Sequence, residues 1–430
     1  MSFPRYPEYK DSGVEWLGEV PWHWAVAKTV RYFKVAMGQT ILREDLVDDG
    51  VWPVFSATDG DHYFGRINEP QVRLAVGDIV IPARGNSIGA VKLVKEPATT
   101  TQTTIYCKNQ SNGMLNPSFV FHFLRGCRDN LFYFTQTAIP QITVEEVGSN
   151  PILIPPLTEQ TKIAAFLDRE TAKIDELVTE QRRLMELLKE KRQAVISHAV
   201  TQGLNPDVPM KPSGIEWLGD VPEHWEVGPL KRYWNVTDCK HVTAEFVEDG
   251  IPLASIREVQ SRWVTLENAK CTTEHFYELL IEGERCPRPG DLIFSRNATV
   301  GEVAQVSADH PRFAMGQDVV LLRKLAPEYS SDYLQHVIRS PIIILQLANM
   351  MIGSTFKRIN VEEIRSFVMP SPPQTEQAEI AAFLENEVDR FDTLTNEAQR
   401  AIDLLQERRT ALISAAVTGQ IDVRGTVESL

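Results

Sequence analysis

The sequence predicts an α+β fold: two β-rich domains separated by two long antiparallel helices in a coiled coil, with a pseudo-twofold internal repeat. Three observations predict it. Thr158–Thr201 aligns without a gap to Thr375–Thr418, with 23 of 44 positions identical. Ser12–Trp24 (SGVEWLGEVPWHW) returns as Ser213–Trp225 (SGIEWLGDVPEHW), with ten of thirteen identical. Between each of these hooks and the next long helix lies a segment of short apolar runs and turns, 25–157 and then 226–374, and the two segments are largely unlike.

The hook, with two tryptophans and a Leu-Gly step, reads as a short folded element that is extended at its Val-Pro step. Inside the unlike segments, Asp78-Ile-Val-Ile-Pro and Asp291-Leu-Ile-Phe-Ser read as strands. Gly77–Val91 aligns with Gly290–Val303 through a one-residue bulge, which sets Arg84 and Arg296 in matching places, each five residues before a glycine. Helix patterns at Asn116–Arg125 and Ser330–Arg339 share His122/His336 and Arg125/Arg339. Thr143 with Glu146, and Asn360 with Glu363, have capping-box form. Thr158 and Thr375 read as N-caps of the long helices, with Glu159 and Glu376 suiting the positive helix end.

The long helices follow from period and from what is missing. Ile174, Leu177, Leu184, Leu188 and Val195 recur three and four apart, as do Phe391, Leu394, Ile402, Leu405 and Leu412, and neither copy contains Pro or Gly. At about 1.5 Å per residue each rod is roughly 66 Å long and needs a partner along its length. Its own duplicate is the nearest one. Gly203–Pro212, rich in proline, reads as the turn between the two units. The expected divisions are 1–157 (hook and first domain), 158–203 (first helix), 204–374 (linker, second hook and second domain) and 375–430 (second helix and tail).

Bulk composition narrows the function classes. A chain of 430 residues with a net charge of −14 holds two or three domains and is not basic overall. The charge is uneven. Residues 25–157 carry 12 basic and 12 acidic side chains, and 226–374 carry 16 and 19, so most of the surplus lies in helices, linkers and tail. The intervening segments therefore leave room for a local basic face. Cys107, Cys127, Cys239, Cys271 and Cys286 are scattered without CxxC spacing, which fits free thiols in a reducing compartment. The start has no signal-type apolar run, and the longest apolar cluster, Ile342–Leu345, is far too short for a membrane span. A soluble cytoplasmic protein is expected.

No catalytic constellation emerges. There is no Gly-Lys dipeptide for a P-loop, no HExxH and no EF-hand loop. Ser371-Pro-Pro-Gln374 lacks the aromatic that a base-methylating loop uses for stacking, and Asp238-Cys-Lys240 lacks the preceding carboxylates of a nuclease site. Neither a catalytic nor a metal site is expected. What remains is recognition. Arg84, Asn86, Ser87, Arg296, Asn297 and Thr299 lie in small polar turns after strands, and Gln136, Gln141, Lys357 and Arg358 lie in a second stretch. Their side chains can reach base edges or phosphates, although each also suits a solvated turn. For Arg84 and Arg296 a phosphate role is favoured, because a shared positioning device can survive a change of target.

The arrangement resembles the specificity (S) subunits of Type I restriction-modification systems over nearly the whole chain. The doubled SG-EWLG-VP-HW hook, the doubled P-TEQ--IAAFL helix start and rods ending in AVISHAVT or ALISAAVT carry the resemblance. It implies a non-catalytic DNA reader, whose two target-recognition domains each read one half of a split, asymmetric site in double-stranded DNA. The helices would set their separation. Two copies of an adenine-N6 methyltransferase subunit would dock on the repeated parts, with an endonuclease–translocase subunit as a further partner. S-adenosylmethionine, Mg²⁺ and ATP would be bound by those partners and not by this chain. The repeated Trp16, Leu17, Glu159 and Gln160, with Trp217, Leu218, Glu376 and Gln377, are then expected at two equivalent docking sites, unless the fold needs them for packing. The family's short tandem repeats after the first rod are missing from TQGLNPDVPMKPSG. Residues alone leave one other reading open, a coiled-coil scaffold that presents two protein-binding domains.

Overall fold

The computed structural model describes residues 3–58, 60, 62–85, 87–132, 141–350 and 358–426. The predicted Asn86, Gln136 and Lys357 fall outside them. The chain forms two units, 1–182 with 399–430, and 183–398. Each unit contains one hook, one β-rich domain and part of both long helices.

In the first half, β1 (Tyr9–Asp11) and β2 (Glu19–Pro21) pair antiparallel as the hook. β3 (Ala25–Lys28) pairs with β11 (Pro151–Ile154), so the domain is closed where its two ends meet. A four-stranded sheet runs in the order β4 (Phe33–Met37), β10 (Thr104–Asn109), β7 (Ile79–Pro82), β8 (Lys92–Leu93). A three-stranded sheet runs β6 (Gly65–Ile67), β5 (Trp52–Phe55), β9 (Thr99–Thr100), with β5 and β9 parallel. All four residues of β7 are buried, which explains its unbroken apolar run. The helices are α1 (Pro117–Gly126), α2 (Arg128–Leu131), α3 (Val144–Ser149) and the long α4 (Leu157–Gln202). Asn116 caps α1 by accepting from the Phe119 N–H, and the Thr143–Glu146 capping box opens α3.

The second half repeats this plan with other residues. β12 (Met210–Pro212) and β13 (Asp220–Pro222) form the hook, and β14 (Glu226–Pro229) pairs with β23 (Val368–Ser371). One sheet runs β15 (Trp234–Asp238), β22 (Val319–Lys324), β19 (Leu292–Ser295), β20 (Val303–Gln305). The other runs β16 (Phe246–Val247), β18 (Cys271–Thr272), β17 (Ile251–Ala254), β21 (Ala314–Met315), with β17 and β21 parallel. The helices are α5 (Glu274–Ile281), α6 (Ser331–Ile338), α7 (Pro341–Met350), α8 (Val361–Arg365) and the long α9 (Gln374–Val417). Both long helices begin one residue before the expected caps, so Thr158 and Thr375 lie in the first turn. The carbonyls of Pro156 and Pro373 accept the first helical bonds instead.

Within each unit the long helices run antiparallel. In the first, Arg409 Nε lies 2.9 Å from Asp175 Oδ1. In the second, Arg192 Nη1 lies 2.5 Å from Asp392 Oδ1. Asp175 and Asp392 are the same position of the sequence repeat, as are Arg192 and Arg409. Each hook buries its tryptophan against the end of a long helix. Leu17, Val20 and Trp24 join Ile413, Ala416 and Val417, while Leu218, Val221 and Trp225 join Ile196, Ala199 and Val200. Gly419 and Gly203 stop those helices at φ 75° and 77°, and a Cβ on either would come within 3.2 Å of the adjacent indole. In the first unit the C-terminal stretch also meets the N-terminal one, with the Asp422 N–H donating to Pro4 O at 2.7 Å.

The predicted apolar stripe is only partly internal. Ile174, Phe391 and Ile402 are buried, whereas Leu177, Leu184 and Leu394 are exposed. A pair of helices has one seam, and residues on its flanks stay outside unless something else covers them.

Candidate nucleic-acid interface

Three loops meet at one edge of each domain. In the first, the Ala83 N–H donates to Thr103 O at 2.9 Å and the Ile142 N–H donates to Ala83 O at 3.0 Å. In the second, the Arg296 N–H donates to Asp318 O at 3.0 Å and the Ile359 N–H donates to Arg296 O at 3.0 Å. The backbone bonds thus set Arg296 opposite Ala83, not Arg84. The counterpart of Arg84 is Asn297, and each precedes a residue with positive φ, Gly85 at 81° and Ala298 at 54°. The sequence alignment put its bulge too early. The two arginines are therefore one residue out of register with each other.

The two arginines accordingly differ in environment. Arg84 is exposed and, among the described residues, its side chain has no partner. Arg296 is 5% exposed. Its guanidinium lies 3.3 Å from Asp238 and 3.4 Å from His241, while its Nε finds no acceptor. That ion pair also accounts for Asp238, which is held as a structural counter-ion. Lys240 of the same tripeptide pairs with Glu282. A direct DNA contact by Arg296 is therefore not what this geometry offers.

The other predicted readers divide the same way. Ser87 is buried, and Thr299 is half-buried with its hydroxyl 3.1 Å from that of Ser295. Both belong to the inside of their loops. Gln141 and Arg358 are exposed at equivalent points, each just before an isoleucine that bonds the strand-exit residue. Asn297 is half-buried, bridges Arg358 through the backbone and accepts from the Ala298 N–H at 2.9 Å. Arg358 stands 3.6 Å from Asp318. Sequence reading missed Asp318, together with the matching glutamines Gln102 and Gln317 in the turns before β10 and β22. The shared Gln followed by Thr103 or Asp318 was the only available signal.

The proposed docking residues are mostly internal. Gln160 is fully buried: its Oε1 accepts from the Asn116 N–H at 2.8 Å, and its Nε2 donates to Met114 O at 3.0 Å and Pro155 O at 2.8 Å. Gln377 repeats this with the Ser330 N–H and Pro372 O, both at 2.8 Å. Glu159 accepts from Trp24 Nε1 at 3.2 Å and lies 2.8 Å from His23 Nε2; Glu376 does the same with Trp225 at 2.9 Å and His224 at 2.5 Å. Leu17 and Leu218 are buried, while Trp16 and Trp217 are half-buried. The repeated hook and helix start thus form a packing clamp. Each glutamine ties the first turn of α1 or α6 to a long helix, and each glutamate ties down a hook.

Of the repeated histidines, His122 is buried and His336 half-buried. Burial pushes His122 below the ordinary imidazole range despite Asp168 at 2.7 Å. Burial, then Arg339, Arg262 and Arg192, lowers His336 to about 4. Both are neutral at pH 7. Burial also pushes the thiols of Cys107 and Cys127 up to about 12, so neither is a thiolate at neutral pH. Among the described residues no three His, Cys, Asp or Glu gather as metal ligands, and no helix is long and apolar enough to cross a membrane.

A sequence model described as the Type I restriction modification DNA specificity domain matches residues 24–186 and 250–404. The MjaVIII specificity subunit of Methanocaldococcus jannaschii is 22% identical, with 94% of each chain covered. The EcoBI specificity subunit of Escherichia coli is also 22% identical, over 87% of this chain and 80% of that one. A chain solved in work on complex assembly and conformational transition of the type I R-M system superimposes with a TM-score of 0.71 at 15% identity, covering 93% of this chain and 98% of that one. The HsdS subunit from Thermoanaerobacter tengcongensis superimposes with a TM-score of 0.54 at 16% identity, covering 94% and 98%. With the hook, the β-rich domain and the long helix each written twice, the chain belongs to the Type I restriction-modification DNA specificity family, as a non-catalytic specificity subunit with two target-recognition domains whose partner subunits carry the catalysis.

Proposed function

We propose that this subunit reads a bipartite, asymmetric DNA site in a cytoplasmic assembly with two copies of an adenine-N6 methyltransferase subunit, and that an endonuclease–translocase subunit joins them. The observation that carries two equivalent partners is a set of identical leucines left outside the helix seams. Leu177 and Leu404 are exposed in the first unit, and their repeat equivalents Leu394 and Leu187 are exposed in the second. Each unit therefore offers the same apolar pair on its helices, and apolar surface that repeats in this way fits one partner used twice. The buried clamp residues Gln160 and Gln377 lie about 25 Å along the helices from Leu177 and Leu394 and do not form that surface. S-adenosylmethionine, Mg²⁺ and ATP belong to the partners on this reading.

Mixing the purified chain with the methyltransferase subunit and weighing the complex by native mass spectrometry tests the stoichiometry, with two methyltransferases per chain expected. Leu177→Ser with Leu404→Ser should leave one. The chain alone should transfer no methyl group and cut no DNA with S-adenosylmethionine, Mg²⁺ or ATP. Methyl transfer without a partner, or an unchanged 2:1 complex from the double variant, would refute the respective halves of the proposal.

A further inference from the structure

The repeated backbone lets the two domains be compared position by position, and the comparison singles out a few side chains. Besides the two bonds at the strand exits, the Thr101 N–H donates to Phe55 O at 2.9 Å where the Gly316 N–H donates to Ala254 O at 2.8 Å. These fixed points pair position 83 with 296, 84 with 297, 102 with 317, 103 with 318, and 141 with 358. Positions 83 and 296 point inward, since Ala83 is fully buried and Arg296 nearly so. Gln102 braces its own domain by accepting from the Ile41 N–H at 3.1 Å, and its counterpart is again a glutamine. Three pairs remain that are solvent-accessible and also change chemistry between domains: Thr103 with Asp318, which flanks the other two, Arg84 with Asn297, and Gln141 with Arg358. Only the last two carry in both domains a side chain able to make a bidentate pair with a purine edge.

We propose that these two pairs are the base-reading positions, with Arg84 and Arg358 each taking the O6/N7 edge of a guanine and Gln141 and Asn297 each taking the N6/N7 edge of an adenine. The proposal rests on the chain being a DNA specificity subunit. The side chains are those whose donor and acceptor geometry matches these edges in the major groove. Two domains that read different half-sites must keep the frame and change the readers, and this is the pattern at 84/297 and 141/358. A neighbouring exchange supports it. Where the second domain has Arg358, Asp318 stands beside the guanidinium at 3.6 Å and can hold its fork. Where the first has the uncharged Gln141, the same place is taken by the uncharged Thr103. The positive φ at Gly85 and Ala298 turns the chain immediately after Arg84 and Asn297.

The test uses the complex with its methyltransferase subunit and a randomised duplex library, reading methylated sequences from the wild type, Arg84→Asn and Asn297→Arg. Arg84→Asn should cost about 10- to 100-fold on the original site and move one position of one half-site from guanine to adenine, leaving the other half-site alone. Asn297→Arg should do the reverse in the other half-site. Arg84→Lys, which keeps the charge but loses the fork, should relax that same position. Thermal melting of each variant serves as the fold control, and all should melt with the wild type. An unaltered motif at normal methylation rates would overturn the assignment. So would weakening that is uniform over all sequences with a shallower salt dependence, which is the mark of a phosphate contact. A wild-type complex with no sequence preference would instead overturn the DNA-reading function on which the assignment rests.

Discussion

Replacing Gln160 by alanine separates packing from docking. The substitution removes three hydrogen bonds and strands the Asn116 N–H, which opens α1, and the carbonyls of Met114 and Pro155, all beside a fully buried side chain. At about 1 kcal/mol per bond, with more where a group stays dry, the loss is about 3 kcal/mol. The first unit has roughly 200 residues, for which 1 kcal/mol shifts a melting temperature by about 2–4 °C, so a fall of about 6–12 °C is expected for that unit. Gln377→Ala strands the Ser330 N–H and the Pro372 carbonyl, and should lower the second unit's transition by about two-thirds as much. Differential scanning calorimetry resolves the two transitions, and pull-down of the methyltransferase subunit below the lower transition measures docking. Binding at full strength with a lowered melting temperature fits the clamp. Undiminished stability with lost binding would refute it and return both glutamines to the partner surface.

Two further outcomes follow from His336 and from the buried Arg296. His336 is held at about 4 when folded, against about 6.5 when unfolded, so between these values the unfolded chain takes up a proton that the folded chain refuses. Stability should fall as pH drops from 6.5 to 4, by at most about 3 kcal/mol from this group, and His336→Gln should flatten the urea-midpoint profile in that window; an unchanged slope would count against the burial argument. Arg296→Met should leave Asp238 without its ion pair and lower the melting temperature, whereas Arg84→Ala should not; equal melting of the two would contradict their opposite environments.

What the sequence made legible was whatever repeats. The hook, both long helices, the capping boxes at Thr143 and Asn360 and the strands at Ile79 and Leu292 could be read because a period or a second copy fixed them. The shared strand order of the two domains could not be read, since backbone pairing tolerates the exchange of nearly every side chain. Register failed for the same reason: glycine spacing suggested Arg84 and Arg296 as partners, but the hydrogen bonds to Thr103 and Asp318 decide it. Burial was the other hidden quantity. Gln160 and Gln377 repeat, and repetition alone does not separate a surface kept for a partner from a clamp kept for the fold. Leu177 and Leu184 kept the helical period yet lie outside, because period reports a face and not what covers it.

Ion pairing also differs between the domains, which bears on how an acidic chain meets DNA. In 226–374 at least nine lysines and arginines lie within 4.0 Å of an acid, among them Arg312 with Glu274 and Arg323 with Asp291. In 25–157, with the base-reading Arg84 set aside, nine (Lys28, Arg31, Lys34, Arg43, Arg66, Arg73, Lys95, Lys108 and Arg128) have no such partner among the described residues, against six in 226–374. A cation already paired gains little by meeting a phosphate, since it must give up its carboxylate, whereas an unpaired one releases a counter-ion from the duplex at full effect. The first domain should therefore supply more of the salt-dependent affinity although it has fewer basic residues. Binding of the methyltransferase complex to duplexes carrying only one intact half-site, followed across KCl concentrations, measures this. Each additional phosphate neutralised steepens the plot of log affinity against log salt by about 0.9. The duplex retaining the first domain's half-site should give the steeper line by at least one such step. Equal slopes, or a steeper line for the second domain's half-site, would show that pairing within the free protein does not decide which cations reach the backbone.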